Sequence, residues 1–346
     1  MQRLTVTGRL LITVLILAAI YFGFKYVGGV DLLKSLQKNQ TEQVEHRSES
    51  GETSASAEGS ASEESSTSSN SDAAVSSKRS FDYEAPQPTG GTLKGVVELG
   101  ASGFNSFIVR IDANKNWKLE KSEFGNSLVI ENMAMDEDVR AGLKKYIGGM
   151  LDYGVSSKDI HFVVSSGAVK ADVTQKIIRA LKSLNYFVNT VTPEEEGRLA
   201  LRSVLPADFY SSAFVVDIGS GNTKISWKTD NKTTALESYG SKYFQEGKND
   251  EQVYSEVKAK AKQVPSAQRK TCFIIGGVPF ELAKAVRKGK ERYTVLDAPD
   301  AYKMENAKTK AGINIYKAIA DATGCEQFVF DWDANFTIGF LLDLPK

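Results

Sequence analysis

The chain of 346 residues contains few of the residue types on which most metal and nucleophile sites depend. It has two histidines, and because His46 lies in a polar tract, only His161 is expected in an ordered domain. Multi-histidine metal sites and Ser-His-Asp triads are therefore nearly excluded. The two cysteines, Cys272 and Cys325, are too few for a disulfide-rich secreted scaffold. The sequence leaves open whether they pair or stay reduced.

An excess of charge of either sign is also absent. Lys and Arg together number 43, and Asp and Glu together also number 43. Because the chain has no excess of basic residues, a nucleic-acid partner is not expected. Hydrophobic residues make up 41% of the chain, which is enough for a core, but they are distributed unevenly. The chain therefore divides into regions of different physical character.

A short basic leader, residues 1–9, precedes an apolar stretch at residues 10–30 that is long enough to span a bilayer. We predict a single transmembrane helix here. A cleavable signal peptide is the alternative, although no small-residue cleavage site follows the stretch. Positive charges on the two sides nearly balance, and the basic leader favours an N-terminus inside the cell. The prediction is a single-pass membrane protein whose soluble domain lies outside the cytoplasm.

Residues 31–91 are predicted to form a disordered Ser/Glu-rich linker. Residues 48–80 contain 14 serines and almost no branched aliphatic residues. Such a composition cannot bury enough apolar surface to fold. As a random coil of about 55 residues, the linker would reach roughly 40 Å. We interpret it as a solvated tether between the membrane helix and the domain.

From Thr92 onward, strand-like runs alternate with helical periodicity, which predicts an α/β domain with a mainly parallel sheet. Strands are predicted at Lys94–Leu99, Ser106–Ile111, Ile160–Ser165, Phe187–Val191, Ala213–Ile218, Lys224–Lys228, Thr271–Ile275 and Gln327–Phe330. Helices are predicted at Asp138–Leu151, Ala171–Leu184, Glu194–Val204, Tyr254–Gln263, Phe280–Lys288 and Thr309–Thr323. Asp112 to Glu123 has oxygen ligands at calcium-loop spacing, but Trp117 takes the place of the required glycine, so a hairpin turn is predicted.

Two segments of the domain resemble each other. VVELGASGFNS begins at Val96 and VVDIGSGNT begins at Val215. In each, an apolar strand carries a carboxylate near its end, Glu98 or Asp217, and continues into a glycine-rich turn and a second strand. Consecutive N–H groups in such a turn bind phosphate, and a carboxylate beside them holds a cation or a water. One such turn could be a plain hairpin, but two copies with an acid at the same offset favour a phosphate site.

The repeat resembles the superfamily of actin, sugar kinases and heat-shock ATPases, and most closely the exopolyphosphatase and guanosine pentaphosphate phosphohydrolase (Ppx/GppA) family. TPEEEGRL from Thr192 is similar to the family's "SGEEEARL", and DIGSGNT from Asp217 follows it at the spacing of "DIGGGSTE". FTIGFLL from Phe336 is similar to the family's closing "GLREGLL" strand. The resemblance implies a duplicated actin-like (ribonuclease H-like) fold, with subdomain I at 92–210 and subdomain II at 211–346.

The resemblance also implies site residues. Glu195 would orient the attacking water, and Asp217, with Glu98, would hold Mg²⁺. Without the resemblance, the acids after Pro193 would indicate only a helix N-terminus. Gly276 and Gly277 would line a nucleotide, although a strand-to-helix turn before Pro279 explains the pair about as well. Phosphate would contact Gly100, Ser102, Gly103, Asn105, Arg198, Gly219, Ser220, Gly221, Asn222, Thr223 and Lys224.

Two positions depart from the family pattern. Glu98 stands where aspartate is usual, and Lys224 stands where the second motif ends in glutamate. A cation beside a divalent metal is unfavourable. The leading prediction is a membrane-anchored phosphohydrolase acting on polyphosphate or guanosine pentaphosphate. The alternative is a catalytically impaired phosphate or nucleotide sensor, or an actin-like scaffold. The expected partner is a phosphorylated small molecule or polyphosphate, and the prediction allows for a homodimer.

Overall fold

The computed structural model describes residues 81–100, 103–124, 136–169, 172–230, 232–303 and 306–345. The predicted membrane helix at 10–30 lies outside these residues. Among the helices of the described ranges, none combines the length and the apolar character needed to cross a bilayer. The predicted linker reaches residue 91, but Phe81 and Tyr83 already pack among the aromatic side chains of the domain. The described part of the domain therefore begins before residue 92.

The first sheet contains five strands in the order β3-β2-β1-β4-β5. Strands β1 to β3 form two antiparallel hairpins, while β1, β4 and β5 are parallel. The turn between β2 and β3 is the predicted hairpin turn, in which the Asp112 carboxylate accepts hydrogen bonds from the backbone N–H groups of Asn114 and Asn116. The strands are β1 (Thr92–Gly100), β2 (Gly103–Ile111), β3 (Trp117–Phe124), β4 (Ile160–Val164) and β5 (Val188–Thr190).

The second sheet contains six strands in the order β10-β11-β9-β6-β7-β8. Strand β6 is central and all six of its residues are buried, which explains its continuous apolar sequence. The sequence did not predict β3, β8 or β10, which are polar or short. The strands are β6 (Ala213–Ile218), β7 (Asn222–Thr229), β8 (Lys232–Tyr239), β9 (Thr271–Gly276), β10 (Tyr293–Val295) and β11 (Gln327–Asp331).

The helices in the described ranges occupy the faces of the two sheets. Helices α3 and α7 pack on each other between the sheets, while α1 and α2 cover the first sheet and α4 and α6 cover the second. They are α1 (Asp136–Asp152), α2 (Asp172–Ser183), α3 (Pro193–Val204), α4 (Asp250–Ala261), α5 (Gly277–Val286), α6 (Ala307–Thr323) and α7 (Phe336–Asp343).

One strand prediction is wrong. The C-terminal segment was expected to be a closing strand, but it forms α7. Asn335 begins this helix, because its side-chain oxygen accepts hydrogen bonds from the backbone N–H and the hydroxyl of Thr337. A mainly apolar run of seven residues, FTIGFLL, does not by itself distinguish a buried strand from a buried helix.

The strand order is repeated. The order β3-β2-β1-β4-β5 in the first sheet is matched by β8-β7-β6-β9-β11 in the second, with β10 added at the edge. The predicted duplicated α/β architecture is therefore confirmed. The repeat also extends to the strand register, since Glu98 lies opposite Asn105 and Asp217 lies opposite Lys224.

The two halves share one hydrophobic core. Val96 and Val109 of the first sheet, Val215 and Phe273 of the second, and helices α3 and α7 belong to a single buried cluster. A further buried cluster lies beneath the outer helices of the first half, and another lies beneath those of the second half. The glycine turns after β1 and β6 are therefore carried on two sheets that are packed onto a common layer.

Candidate functional site

The carboxylates of the repeat lie on the two strands that begin each half. Glu98 of β1 accepts hydrogen bonds from Asn105 Nδ2 at 2.9 Å and from Asn335 Nδ2 at 3.0 Å. Burial raises the pKa of Glu98 to about 7, assisted by the negative charges of Asp217 and Glu196 and opposed by the two amide donors. Because Asn335 belongs to the C-terminal half, Glu98 joins the two halves.

Asp217 occupies the equivalent place on β6. Burial raises its pKa to about 6. The positive charge of Lys224 opposes this increase, and the negative charge of Glu196 adds to it. Glu98, Glu196, Asp217 and Lys224 therefore form one electrostatically coupled group, which we name the charge cluster.

Lys224 and Glu196 form the closest ion pair of this cluster. Lys224 Nζ lies 2.5 Å from Glu196 Oε1, and each side chain is 3% exposed. The other carboxylate oxygen of Glu196 accepts hydrogen bonds from Ser166 N at 2.7 Å and Ser166 Oγ at 2.5 Å. Burying two charges is expensive unless their partners are in place, and here both Glu196 oxygens are engaged.

The second glycine turn, residues 219–222, packs against the turn that follows β4. Asn222 Nδ2 donates to Ser166 Oγ at 2.9 Å and to Glu237 Oε1 at 2.6 Å. A Cβ on Gly167 would lie 3.2 Å from the Gly221 Cα, so the two backbones are in contact. Thr223 is fully buried, and its hydroxyl has no hydrogen-bond partner among the described residues.

The predicted phosphate ligands therefore fall into separate groups. The turn residues Gly219, Ser220, Gly221 and Asn222 and the strand residues Thr223 and Lys224 adjoin the charge cluster. In the first turn, Gly100 pairs with Gly103, while Asn105 contacts Glu98. Ser102 lies outside the described residues.

Glu195 and Arg198 do not join the charge cluster. Glu195 is exposed at the start of α3, where its backbone N–H donates to Thr192 Oγ1 and its carboxylate accepts from Thr192 N, forming a capping box. Arg198 pairs at the surface with Asp343 at 2.9 Å. Their predicted roles stay predictions, and the structure places Glu196 instead of Glu195 beside Asp217.

The glycine pair at 276–277 begins helix α5 beside the end of β6. Gly276 has φ of 111°, and a Cβ there would collide with the Ile218 carbonyl, so only glycine suits this position. Gly277 approaches Lys308 Nζ. Burial and the neighbouring Lys242 charge lower the pKa of Lys308, with Glu281 opposing. The predicted nucleotide-lining role of this pair stays a prediction.

This arrangement does not provide a set of free ligand atoms for Mg²⁺. Carboxylate oxygens are suitable ligands, but both oxygens of Glu196 are used, and Glu98 Oε2 accepts from two amides. Lys224 brings a positive charge into the same cluster. Among the described residues, no group of three or more His, Cys, Asp or Glu side chains is placed to hold a metal ion. The residues as arranged do not fit the metal.

The sequence analysis did not predict Glu196 as a member of the charge cluster, nor its contact with Ser166. A signal for Glu196 does exist, because Leu199, Ala200 and Ser203 follow it at helical spacing and all are buried. That spacing places Glu196, not Glu195, on the inward face of α3. For Ser166 the sequence gives a weaker indication of a role in the site, which is its place in a turn before a helix.

Structures of the same architecture have been solved. An exopolyphosphatase from Cytophaga hutchinsonii is 16% identical over 73% of this chain and 98% of its own, with a TM-score of 0.57. An Aquifex aeolicus PPX-GPPA enzyme is 16% identical over 73% and 99%, with a TM-score of 0.56. The type II variant of the Aquifex aeolicus Ppx/GppA phosphatase is 15% identical over 72% and 98%, with a TM-score of 0.53.

These similarities establish the fold. The chain has the two-sheet architecture of Ppx/GppA exopolyphosphatases, as the sequence resemblance predicted. No protein-family model matches the chain, and no curated protein sequence matches it. At such low identity the chemistry of this chain must be argued from its own side chains.

Proposed function

We propose that this chain uses its Ppx/GppA fold to bind a phosphorylated ligand, polyphosphate or a phosphorylated nucleotide, without hydrolysing it efficiently. The observation that carries the proposal is the buried Lys224–Glu196 ion pair. It brings a positive charge into the cluster where hydrolysis would require a divalent metal. The Lys224 ammonium alone would repel a divalent ion, since two like unit charges 4 Å apart repel by about 4 kcal/mol at an effective dielectric constant of 20. The same pair occupies the Glu196 carboxylate, which would otherwise be a metal ligand.

Ligand binding is supported by donors that face the same place. Lys224 Nζ, the Ser166 backbone N–H and the Asn222 amide all lie beside the second glycine turn. Ammonium and backbone N–H groups are the usual partners of phosphoryl oxygens. In the structure Glu196 accepts from Ser166 N and Lys224 Nζ, and a phosphorylated ligand would use these donors, without a metal, by taking the place of Glu196.

Hydrolysis of a phosphoanhydride is the second candidate. It is favoured by the raised pKa values of Glu98 and Asp217, since shifted carboxylates often mark catalytic sites. In that scheme Glu195 would orient the water, and the chain would need to recruit Mg²⁺ by separating Lys224 from the acids.

The two candidates differ in phosphate release. We expect the purified chain to release no phosphate above background from polyphosphate, guanosine pentaphosphate or ATP with Mg²⁺, while at least one of them raises its melting temperature. The variant Lys224→Glu restores the acid of the motif and should gain stabilisation by Mg²⁺ that the wild type lacks.

Lys228→Glu is the matched control, because it makes the same charge change on the same strand, where Lys228 packs over the Tyr210 ring. It should show no gain of Mg²⁺ stabilisation. Multiple turnovers of phosphate release by the wild-type chain would overturn the proposal in favour of hydrolysis.

We also propose that the domain is tethered to a membrane. This rests on the apolar sequence of residues 10–30 and the serine-rich composition of the linker that follows. A domain outside the cytoplasm and a homodimer remain parts of the same proposal.

A further inference from the structure

The Glu196 carboxylate is held in the way that proteins hold a phosphoryl group. Its Oε2 accepts from the Ser166 backbone N–H and from Ser166 Oγ, while its Oε1 pairs with Lys224 Nζ. A backbone N–H, a hydroxyl and an ammonium group make up a typical phosphate-binding set. We name these three donors the anion cradle.

The cradle is oriented before any external ligand arrives. Ser166 Oγ accepts a hydrogen bond from Asn222 Nδ2, so its own proton is free to point at Glu196. Asn222 is in turn fixed by Glu237 Oε1 at 2.6 Å. The donors therefore come from the turn after β4 and from β7, and the direction of the Ser166 hydroxyl is set by Asn222, a group other than the acceptor.

The cradle is also covered. Glu196 is 2% exposed and Lys224 is 3% exposed. The backbones of Gly167 and Gly221 meet beside it, with 2.9 Å between a Cβ placed on Gly221 and the Gly167 oxygen. An external anion can reach the donors only if Glu196 leaves and these two turns separate.

We infer that Glu196 is an internal substitute for the ligand's phosphoryl group, which an external phosphoryl group displaces from Ser166 and Lys224. This inference rests on the proposed function, and it adds a mechanism that regulates the access of a ligand to the site. A terminal phosphoryl group brings more charge and more acceptor oxygens than a carboxylate. Displacement of Glu196 couples ligand binding to the contact between the turns at 165–168 and 219–222.

Removing the internal anion tests this inference. The probe is inorganic tripolyphosphate, compared with inorganic phosphate, added to the full-length chain in a mild detergent with EDTA and followed by calorimetry. While Glu196 occupies the cradle, the apparent affinity for an external anion is the intrinsic affinity multiplied by the fraction of molecules in which Glu196 has left it. Glu196→Gln should therefore bind tripolyphosphate roughly tenfold more tightly or better. Adding Lys224→Met to this variant should abolish the gain.

Two further variants keep the test decisive. Glu194→Gln removes an exposed acid from the same helix and should leave the affinity of the wild type unchanged. Glu196→Asp keeps the charge but is one methylene too short to reach Ser166 and Lys224 together, so it should also bind more tightly. It replaces Glu196→Gln if circular dichroism shows that the latter is unfolded.

The outcomes separate the inference from the function on which it rests. A folded Glu196 variant that binds tripolyphosphate no more tightly than a wild type that does bind it overturns the inference alone. An absence of binding in the wild type and in every variant overturns the inference and the proposed function together. Phosphate release by the wild type with Mg²⁺ would overturn the proposed function alone, because the binding comparison is made without metal.

Discussion

At the scale of single residues, each half of the repeat gives its strand carboxylate a different partner on the neighbouring strand. Asn105 lies opposite Glu98 and donates a hydrogen bond to it, whereas Lys224 lies opposite Asp217 and supplies a charge. An amide leaves a buried carboxyl free to take up a proton, while an ammonium group favours the ionised form. Burial raises the pKa of both carboxyls, Glu98 to about 7 and Asp217 to about 6, and a positive charge, that of Lys224, opposes the increase at Asp217.

The raised pKa of Glu98 predicts how stability depends on pH. Folded Glu98 binds its proton more tightly than the unfolded side chain, whose pKa is 4.5, so the native state holds the extra proton between pH 4.5 and about 7. The free energy of unfolding should therefore decrease as the pH rises through this range, by at most about 1.4 kcal/mol per pH unit for each proton.

Urea denaturation of Glu98→Gln at several pH values checks this expectation. The variant cannot ionise at this position, so its unfolding free energy should depend less steeply on pH than that of the wild type. Glu84→Gln, at an exposed position in the segment before β1, should keep the wild-type slope. Equal slopes in all three proteins would show that Glu98 does not carry the extra proton.

At the scale of elements, the contact between α3 and α7 positions the site. Asn335 begins α7 with its side-chain oxygen and donates to Glu98 with its side-chain nitrogen, so the start of this helix is tied to the charge cluster. Farther along, Gly339 lies against the Leu199 carbonyl of α3. The two helices meet backbone to backbone, which is possible only without a side chain at position 339.

This contact predicts a large effect of one methyl group. Gly339→Ala would place its Cβ well inside contact distance of the Leu199 carbonyl and should lower the free energy of unfolding by about 3 kcal/mol, at the upper end for overpacking. Gly148→Ala in α1 is the matched control, since a Cβ there meets nothing within 4 Å. The control should gain up to about 1 kcal/mol from helix propensity. Thermal melts of both variants compare them directly, and a Gly339→Ala protein as stable as the wild type would disprove the close contact.

At the scale of the whole molecule, the common core joins the two halves to the segment that precedes them. Phe81 packs edge-on against Phe273 and Tyr293 with ring centroids 5.5 Å apart, and lies 5.4 Å from Phe209. The described segment before β1 therefore packs in an aromatic cluster that includes Phe273 and Tyr293 of the second half.

Loss of this aromatic contact should destabilise the entire domain. Phe81→Ala is expected to lower the free energy of unfolding by about 2 kcal/mol, less than for a fully buried ring because Phe81 is half-buried. Phe187→Ala removes a ring that is 79% exposed and should change stability by less than about 0.5 kcal/mol. Chemical denaturation followed by circular dichroism measures both, and equal effects of the two substitutions would contradict the packing of the segment.

Much of the fold could be predicted because the strands and helices of each half have their own local hydrophobic patterns. Apolar runs such as Ala213–Ile218 predict buried strands, and helical spacing predicted helices near α1 to α6. The strand predicted for the segment that forms α7 rested on its resemblance to the family's closing strand, and the segment's own sequence has no clear period that would contradict it. Strand β8 was missed because its residues are polar and half-buried against α3, a partner from elsewhere in the chain.

The candidate site was predicted less completely. The repeated motif predicts Glu98, Asp217 and the second glycine turn, and the comparison with the family motif predicts Lys224; their roles stay predictions. The partner of Lys224 was not predicted: helical spacing places Glu196 on the inward face of α3, but which residue it meets there depends on how α3 packs against the second sheet. Ser166 comes from a different half of the repeat, and its contact with Asn222 arises only when the halves meet.

Hydrophobic periodicity and a repeated motif are local properties, so the duplicated architecture follows from the amino-acid order, as does the position of Lys224 at the end of the second motif. That Lys224 is buried and paired with Glu196, and that the turns at 165–168 and 219–222 touch, follows only from the folded chain. Ion pairs between distant segments depend on helix rotation and on the packing of the two halves, which no local pattern specifies. A buried charge is tolerated only where folding brings it a partner.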